Sequence, residues 1–216
     1  MTVIQGFQVL LVHCIFPIYI MSIFVVIEGM DGSGKSTITK LLAKKLNAVV
    51  YKTPPPELIS IRKYIDNCNE QHSKLFYYMA CNFYASSQIQ RILGAGKSVV
   101  CDRYYYTTIS TYYDVLESLT LDFVKTSEVL VSKLFKPNFA FFLDISEEER
   151  EKRIMARKNV SLDDLESIDP SISHKNLKIY EKMDLIKIYT DNLSADQVVN
   201  VITRYIMEME QFTEFT

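Results

Sequence analysis

A phosphate-loop signature near the start of the chain limits the folds that this sequence can adopt. Residues 29–36 read Gly-Met-Asp-Gly-Ser-Gly-Lys-Ser and fit the pattern G-x-x-x-x-G-K-[ST] in full. They directly follow the apolar run 23–27, and an amphipathic helical pattern over residues 35–46 follows them. A strand, a glycine loop and a helix in this order form the context in which the pattern binds phosphate. The chain is therefore predicted to bind a nucleoside triphosphate; the alternative is a chance glycine loop.

Each part of the loop has a predicted role. Its glycines allow a tight turn that brings backbone N–H groups close to phosphate oxygens, and the helix N-terminus adds roughly half a positive charge. Lys35 can reach the outer phosphates, and the Ser36 hydroxyl can hold Mg²⁺. The residues predicted to contact the nucleotide are Gly29, Met30, Asp31, Gly32, Ser33, Gly34, Lys35, Ser36 and Thr37.

The order of short apolar runs and longer helical stretches predicts an α/β fold. Apolar and β-branched runs without alternation suit strands that are covered on both faces, so the sheet is expected to be mainly parallel. The predicted strands cover residues 23–27, 48–51, 98–101, 139–143 and 186–190. The predicted helices cover residues 35–46, 57–68, 73–93, 121–135, 147–157, 171–183 and 195–210. Together with the loop, this pattern predicts a P-loop NTPase with a five-stranded sheet flanked by helices.

Composition narrows the class of protein further. The 216 residues fit one compact domain, predicted over residues 22–216, and the net charge of −2 gives no basic face for a nucleic-acid partner. The four cysteines are scattered and show no metal-ligand spacing, which predicts buried thiols in a reducing compartment and a cytoplasmic protein.

Residues 1–21 form an apolar extension ahead of this domain. No Lys, Arg, Asp or Glu occurs before Glu28, and both the basic start and the cleavage site of a signal peptide are missing. A membrane anchor of this length would overlap the first strand and leave no linker before the phosphate loop. We therefore expect no membrane association, and interpret the extension as a surface appendage or as a start codon assigned ahead of Met21.

A second motif, Asp102-Arg103-Tyr104, closes the apolar run 98–101. In open parallel sheets, ligands bind beyond the carboxyl ends of the strands. An Asp at this position can bind Mg²⁺ through water or orient an attacking oxygen, and an adjacent Arg can donate two hydrogen bonds to a phosphate. The alternative is an ion pair that ends a strand.

A cluster of cations follows the fourth predicted strand. Arg150, Arg153 and Arg157 are spaced to share one helical face, with Lys158 beside them. Their position ahead of a loose segment, residues 159–169, predicts a mobile lid that neutralises phosphate charge and excludes water. The alternative is a solvated surface helix, which the spacing of Glu149 and Arg153 also favours.

These motifs, in this order, resemble the thymidylate kinase family. Residues 24–37, the Asp-Arg-Tyr motif and the arginine helix match its pattern across roughly residues 23–210. The resemblance implies a P-loop nucleoside monophosphate kinase that uses ATP and Mg²⁺ and forms a homodimer. It further implies that Asp31 orients Arg103 or the acceptor phosphate, that Arg103 with Tyr104 binds the monophosphate, and that Tyr78 stacks on the base. Arg153 and Arg157 would belong to the lid, and the turn over residues 190–195 would lie near the adenine.

Two positions depart from the family pattern. Asn82 stands where the family usually has an arginine that contacts the thymine base and the lid. The run 52–56, Lys-Thr-Pro-Pro-Pro, occupies the stretch where an arginine for the acceptor phosphate is expected, and leaves Lys52 as the nearest cation. A lysine provides a point charge without the fork of a guanidinium. Both departures concern the acceptor side of the site.

The sequence therefore predicts phosphoryl transfer from ATP to a nucleoside monophosphate, with dTMP as the leading acceptor. A deoxynucleoside kinase acting on a 5′-hydroxyl is the first rival; it would benefit from a general base near the second strand end, where Glu57 is the nearest carboxylate. A GTP switch is disfavoured because the chain has no Asn-Lys-x-Asp string. A non-catalytic nucleotide-binding protein is the remaining alternative.

Overall fold

A computed structural model describes residues 22–119, 129–160 and 167–213. Its centre is a sheet of five parallel strands in the order β2-β3-β1-β4-β5. The strands are β1 (Phe24–Gly29), β2 (Val49–Lys52), β3 (Val99–Asp102), β4 (Phe139–Asp144) and β5 (Ile186–Tyr189). The predicted parallel α/β sheet and all five of its strands are confirmed, each with boundaries shifted by one or two residues.

Helices cover both faces of this sheet. They are α1 (Lys35–Lys45), α2 (Ile59–Asp66), α3 (Gln71–Gly94), α4 (Tyr105–Thr111), α5 (Tyr113–Leu119), α6 (Glu147–Met155), α7 (Pro170–Tyr180) and α8 (Ala195–Thr213), and a 3₁₀ turn, Pro56–Leu58, precedes α2. No helix in these described ranges combines the length and the apolar character that a membrane crossing requires.

The central strand β1 is completely buried and its side chains divide two hydrophobic cores. Val25 and Ile27 face a core closed by α1 and α8, whereas Phe24 and Val26 face a core closed by α3, α4 and α7. Because side chains alternate along a strand, Glu28 points into the second core. A carboxylate therefore lies in a layer that is otherwise built from apolar and aromatic residues.

Sequence patterns missed α4 and α5. Residues 105–116 are rich in tyrosine and β-branched residues, which have lower helix propensity than alanine or leucine. Both helices form against α3 and α7, so tertiary packing overrides local preference. The predicted extension 1–21, much of the predicted helix 121–135 and part of the loose segment 159–169 lie outside the described residues.

Parallel register brings the carboxyl ends of the strands to one edge of the sheet. Ile27 pairs with Asp102 across β1 and β3, and Lys52 pairs with Asp102 across β2 and β3. The phosphate loop leaves β1 at this same edge. Residues from three separate motifs thus meet where ligands bind in sheets of this type.

Candidate active site

The phosphate loop is fixed by glycines at positions that a side chain would disturb. Gly34 caps the N-terminus of α1 with a φ of 91°, and the N–H of Ile38 donates to its carbonyl at 3.0 Å. A Cβ on Gly32, whose φ is 88°, would lie 2.9 Å from Cγ of Arg150. The loop therefore packs closely between α1 and α6, and its curved backbone suits N–H groups that bind phosphate.

Lys35 is held inside this curve. Its side chain is 6% exposed, its Nζ donates to the carbonyl of Met30 at 2.8 Å, and Nζ lies 3.6 Å from Oδ1 of Asp31. Burial, reinforced by the positive charge of Arg103, lowers the pKa of Lys35 to about 8. A bound phosphate would add negative charge beside the ammonium group of Lys35 and would favour its protonated form.

Ser36 and Asp102 form the candidate Mg²⁺ site. The Ser36 hydroxyl donates to Oδ2 of Asp102 at 2.6 Å, and Nζ of Lys52 lies 3.9 Å from the same oxygen. The other carboxylate oxygen, Oδ1, is buried and has no hydrogen-bond partner in the described structure. A hydroxyl and a carboxylate beside a phosphate loop are the hard oxygen donors that Mg²⁺ prefers, with phosphates and water completing its shell. These residues therefore fit the metal, although the described residues contain no cluster of three or more metal-ligating side chains.

Arg103 faces Asp31 across the cleft. Its guanidinium forms an ion pair with Oδ1 of Asp31, and Nη1 donates to the Thr107 hydroxyl at 3.2 Å. Burial alone raises the pKa of Asp31, but the charges of Arg103 and Lys35 outweigh it and hold that pKa below its usual range. The predicted meeting of the loop carboxylate with the arginine of the second motif is present in the structure.

Glu28 is a residue of this site to which the sequence analysis assigned no role. It is fully buried, and its carboxylate accepts hydrogen bonds from the backbone N–H of Tyr104 at 2.7 Å and from the Thr107 hydroxyl at 2.6 Å. The Tyr180 hydroxyl lies 3.4 Å from it and also donates to the Thr107 hydroxyl at 3.0 Å. The available signal was a lone charge that interrupts an apolar strand.

The predicted lid helix, α6, has its arginines in three different settings. Arg150 is buried against Gly32, and its Nη1 donates to the carbonyl of Ser167 at 2.7 Å. Arg153 is partly exposed and pairs with Glu149, its Nε donating at 2.9 Å. Arg157 lies beyond the end of the helix, where its charge contributes to lowering the pKa of Asp31. All three arginines therefore act on the phosphate loop, Arg150 at Gly32, Arg153 at the cavity beside Ser33 and Gly34, and Arg157 at Asp31, but they differ in exposure.

A cavity of about 320 Å³ opens beside the loop on the side of α8. Thr190 and Leu193 border it from the turn after β5, and Arg153 borders it from α6. The remaining lining residues are Ser33, Gly34, Thr37, Ile38, Ala195 and Val198. Its mainly apolar lining and its position next to the phosphate loop suit a flat heteroaromatic base.

A second, smaller cavity lies on the other side of the loop. Asp31 and Arg103 border it, as do Thr107, Asn176 and Tyr180 on α4 and α7. Its wall carries hydroxyl, amide and guanidinium groups, which suit a sugar phosphate. The phosphate loop therefore borders both cavities, through Ser33 and Gly34 in the first and through Gly29, Met30 and Asp31 in the second.

The predicted base-contacting residues have structural partners. Tyr78 stacks on Tyr112 with ring centroids 5.8 Å apart, and its hydroxyl donates to Oδ1 of Asp66 at 2.8 Å. Asn82 is 1% exposed, and its Nδ2 donates to the Thr108 hydroxyl at 2.9 Å. Contact of either residue with a base remains a prediction.

Tyr104 does not face the cleft. Its side chain is fully buried, its ring packs edge-on against Phe24 at 5.4 Å, and its hydroxyl donates to the carbonyl of Phe135. The family resemblance predicts this side chain in the substrate site. The structure corrects that prediction, because the backbone reverses at Arg103 and directs the ring that follows into the core.

Comparison with known proteins agrees with this geometry. The family model described as thymidylate kinase matches residues 27–202, which include the loop, the Asp-Arg-Tyr motif and α6. The chain belongs to the thymidylate kinase family. A thymidylate kinase family member is a nucleoside monophosphate kinase, so the P-loop, transferase and nucleotide-biosynthesis predictions are confirmed at that level.

Named relatives lie at moderate sequence distance. The probable thymidylate kinase of Methanococcus aeolicus is 30% identical over 198 residues, which cover 87% of this chain and 97% of that protein. The probable thymidylate kinase of Methanocaldococcus jannaschii is 29% identical over 188 residues, covering 86% and 96%. The solved thymidylate kinase of Candida albicans superposes with a TM-score of 0.70 at 22% identity, covering 88% of this chain and 93% of that one, which supports the shared fold.

Proposed function

We propose that this thymidylate kinase family member transfers the γ-phosphoryl group of ATP to dTMP and forms ADP and dTDP. The observation that carries the proposal is that the phosphate loop, which holds Lys35, borders both cavities, with the Ser36–Asp102 pair and the Asp31–Arg103 pair at the same site. ATP would enter from the side of Thr190 and the monophosphate from the side of Arg103. The two phosphates then meet over the loop.

The chain's own residues perform the chemistry by positioning and by neutralising charge. The loop N–H groups and Lys35 hold the outer phosphates of ATP and stabilise negative charge as the phosphoryl group moves. Arg103 and Lys52 hold the acceptor phosphate. This phosphate is already ionised, so its oxygen attacks without a general base. Ser36 and Asp102 would hold Mg²⁺, which offsets the charge of the ATP phosphates when bound.

Closure of α6 is the proposed source of further neutralisation. Arg153 borders the donor cavity, and Arg157 lies near Asp31. Guanidinium groups that approach both sides of the transferring group stabilise its charge and help exclude water. Arg150 is buried against the loop and is better suited to anchor the helix.

A deoxynucleoside kinase is the second candidate, and the strand ends disfavour it. Such an enzyme would benefit from a free carboxylate that accepts the proton of a 5′-hydroxyl. Asp102 already contacts Ser36 and Lys52, and Asp31 is paired with Arg103. Glu57 is solvent-exposed in the 3₁₀ turn beyond β2. A non-catalytic nucleotide-binding protein is the third candidate, which turnover measurements address directly.

We further propose that a second copy of the chain packs on α3. Phe76 and Phe83, seven residues apart on one helical face, are 55% and 37% exposed. The helix carries no charged residue between Lys74 and Arg91, and Ile59 on α2 is 46% exposed. An uncharged, aromatic helix face of this kind suits an isologous interface. A cytoplasmic location is proposed as well, in keeping with free thiols at Cys68, Cys81 and Cys101.

A panel assay tests the function. The protein is incubated with ATP and Mg²⁺ and, in turn, with dTMP, dUMP, dCMP, dGMP and thymidine, and ADP formation is followed. We expect dTMP to give the highest kcat/KM. The control is Lys35→Ala, which should lower turnover at least about 10³-fold because it removes a cation that follows the transferring charge. Thymidine as the best acceptor would establish the nucleoside kinase instead, and absence of turnover with every acceptor would favour the binding protein.

A further inference from the structure

The buried carboxylate of Glu28 is linked through the Thr107 hydroxyl to Arg103, the arginine proposed to bind the acceptor phosphate. Removing a carboxylate from water is costly unless hydrogen bonds or charges compensate it. Here the backbone N–H of Tyr104 and the hydroxyl of Thr107 donate to it at 2.7 and 2.6 Å. Burial raises the pKa of Glu28, and these two donors together with the Arg103 charge oppose that rise. The cost of burying this group calls for a function beyond packing.

The hydrogen bonds to Glu28 also hold the backbone conformation of Arg103. Arg103 has a φ of 67°, in the left-handed region that non-glycine residues rarely occupy. Its own N–H donates to the carbonyl of Ile27 at 3.1 Å, and the next N–H, that of Tyr104, donates to Glu28. The peptide groups on both sides of the strained residue are therefore tied to consecutive residues of β1.

The hydroxyl of Thr107 also links Glu28 to the guanidinium group of Arg103. A hydroxyl has one proton to donate and two lone pairs to accept. In this site the proton goes to Glu28, while Nη1 of Arg103 and the hydroxyl of Tyr180 donate to the oxygen at 3.2 and 3.0 Å. In its ionised form the Glu28 carboxylate can only accept, and it then fixes the direction of the Thr107 proton and leaves the Thr107 oxygen free to accept from Arg103.

We propose that Glu28 is a positioning residue that holds Arg103, through its backbone and through Thr107, in the orientation that binds the acceptor phosphate. The inference rests on the proposed function of Arg103. Glu28 itself contacts neither substrate, and its hydrogen bonds reach the monophosphate side of the site, although its charge also acts on Lys35. The ATP side depends on Lys35 and the loop, which Glu28 does not contact by hydrogen bonding.

Glu28→Gln tests this role because it keeps the side-chain shape but presents an amide that can donate to Thr107. Reversal of that hydrogen bond makes the introduced amide compete with Arg103 for the lone pairs of the Thr107 oxygen. We expect the KM for dTMP to rise roughly tenfold or more, as for a lost charge-assisted hydrogen bond. The KM for ATP should change less, through the loss of the Glu28 charge that acts on Lys35. Thr107→Val, which removes the relay and keeps the volume, should raise the KM for dTMP similarly. The double variant should add little, because both changes interrupt one path.

The control variant is Glu181→Gln, which removes a surface carboxylate 3.6 Å from Lys187 and should leave both KM values unchanged. NMR exchange of the Arg103 guanidinium protons, assigned with Arg103→Lys, gives a readout that needs no turnover. We expect these protons to exchange slowly in the unmodified protein and at least roughly tenfold faster in both Glu28→Gln and Thr107→Val. Faster exchange without any kinase activity would support the positioning and reject the proposed function. Unchanged exchange and an unchanged KM for dTMP in folded Thr107→Val or Glu28→Gln protein would overturn the inference.

Discussion

The hydroxyl of Ser36 donates a hydrogen bond of 2.6 Å to Oδ2 of Asp102, joining the phosphate loop to the end of the neighbouring strand. The two residues are 66 positions apart in the sequence. The contact directs both oxygens at the edge of the loop where the outer phosphates of a nucleotide would lie. It also leaves Oδ1 of Asp102 buried and without a hydrogen-bond partner in the described residues. A metal ion with its water shell would satisfy that oxygen.

Asp102→Asn should weaken the use of Mg²⁺. The amide retains an oxygen for Ser36 but loses the charge that favours a divalent cation. We expect the Mg²⁺ concentration for half-maximal rate to rise roughly tenfold and kcat to fall about 10²-fold, as for loss of a charged group at the transferring phosphate. Initial rates across a Mg²⁺ titration measure both effects. The matched control is Asp184→Asn, at an exposed position ahead of β5. An Asp102→Asn titration that overlays the unmodified curve would remove Asp102 from the metal site.

The affinity for ATP should fall as pH rises through about 8. Burial and the Arg103 charge lower the pKa of Lys35 to about 8 in the free protein. ATP binds the protonated form, so binding raises this pKa and takes up protons above pH 8. The loss approaches tenfold per pH unit. Calorimetry in buffers of different ionisation enthalpy gives both the affinity and the proton uptake. Lys35→Arg stays charged and should show a flat profile over the same range; a flat profile in the unmodified protein would contradict the lowered pKa.

Arg103→Ala should weaken the monophosphate far more than ATP. By the family resemblance, the guanidinium of Arg103 binds the phosphate of the monophosphate. Loss of such a charge-assisted contact costs about 2–3 kcal/mol, which lowers the affinity roughly 30- to 150-fold. Equilibrium binding of dTMP and of ATP to the variant separates the two sides of the site. Equal loss for both ligands would mean that Arg103 supports the whole site and does not select the acceptor.

Asn82→Ala should change the ranking among monophosphates. Asn82 is buried on α3 with Oδ1 lacking a hydrogen-bond partner in the described structure, while Nδ2 contacts Thr108. If the amide turns towards the base when the acceptor binds, its removal alters the preference between dTMP and dUMP or dCMP more than the total affinity for phosphate. Relative kcat/KM values across the panel measure the effect. An unchanged ranking with a lower melting temperature would assign Asn82 to packing alone.

Phe83→Glu should separate a homodimer into single chains. It places a charge in the uncharged stripe of α3, where two copies would bury it. Sedimentation of the unmodified protein should give twice the chain mass, and the variant should give one chain mass with its fold retained. Met207→Glu on α8, an exposed residue away from α3, is the control and should leave the mass unchanged. A single-chain mass for the unmodified protein would exclude this interface.

The sequence by itself determined the parts of this protein whose physics is local. Short apolar runs identified all five strands, including the partly exposed edge strands β2 and β5. The spacing of Gly29, Gly34, Lys35 and Ser36 identified the loop. A glycine loop needs specific residues at fixed positions in one short segment, so it is visible in the sequence. The Asp102-Arg103 pair was visible for the same reason, because it directly follows a strand.

Only the tertiary structure decided which side chains from distant segments meet. The contacts of the Thr107 and Tyr180 hydroxyls with Glu28 join residues up to 152 positions apart, and no local pattern encodes them. The tertiary structure also buried Arg150 against the loop, and it turned the ring of Tyr104 into the core, away from the predicted substrate site. Burial and backbone direction depend on elements packed from elsewhere in the chain. The sequence did not predict α4 and α5 for the same reason. Their tyrosines have weak helix propensity, but α4 packs against α3 and α7, and α5 packs against α3.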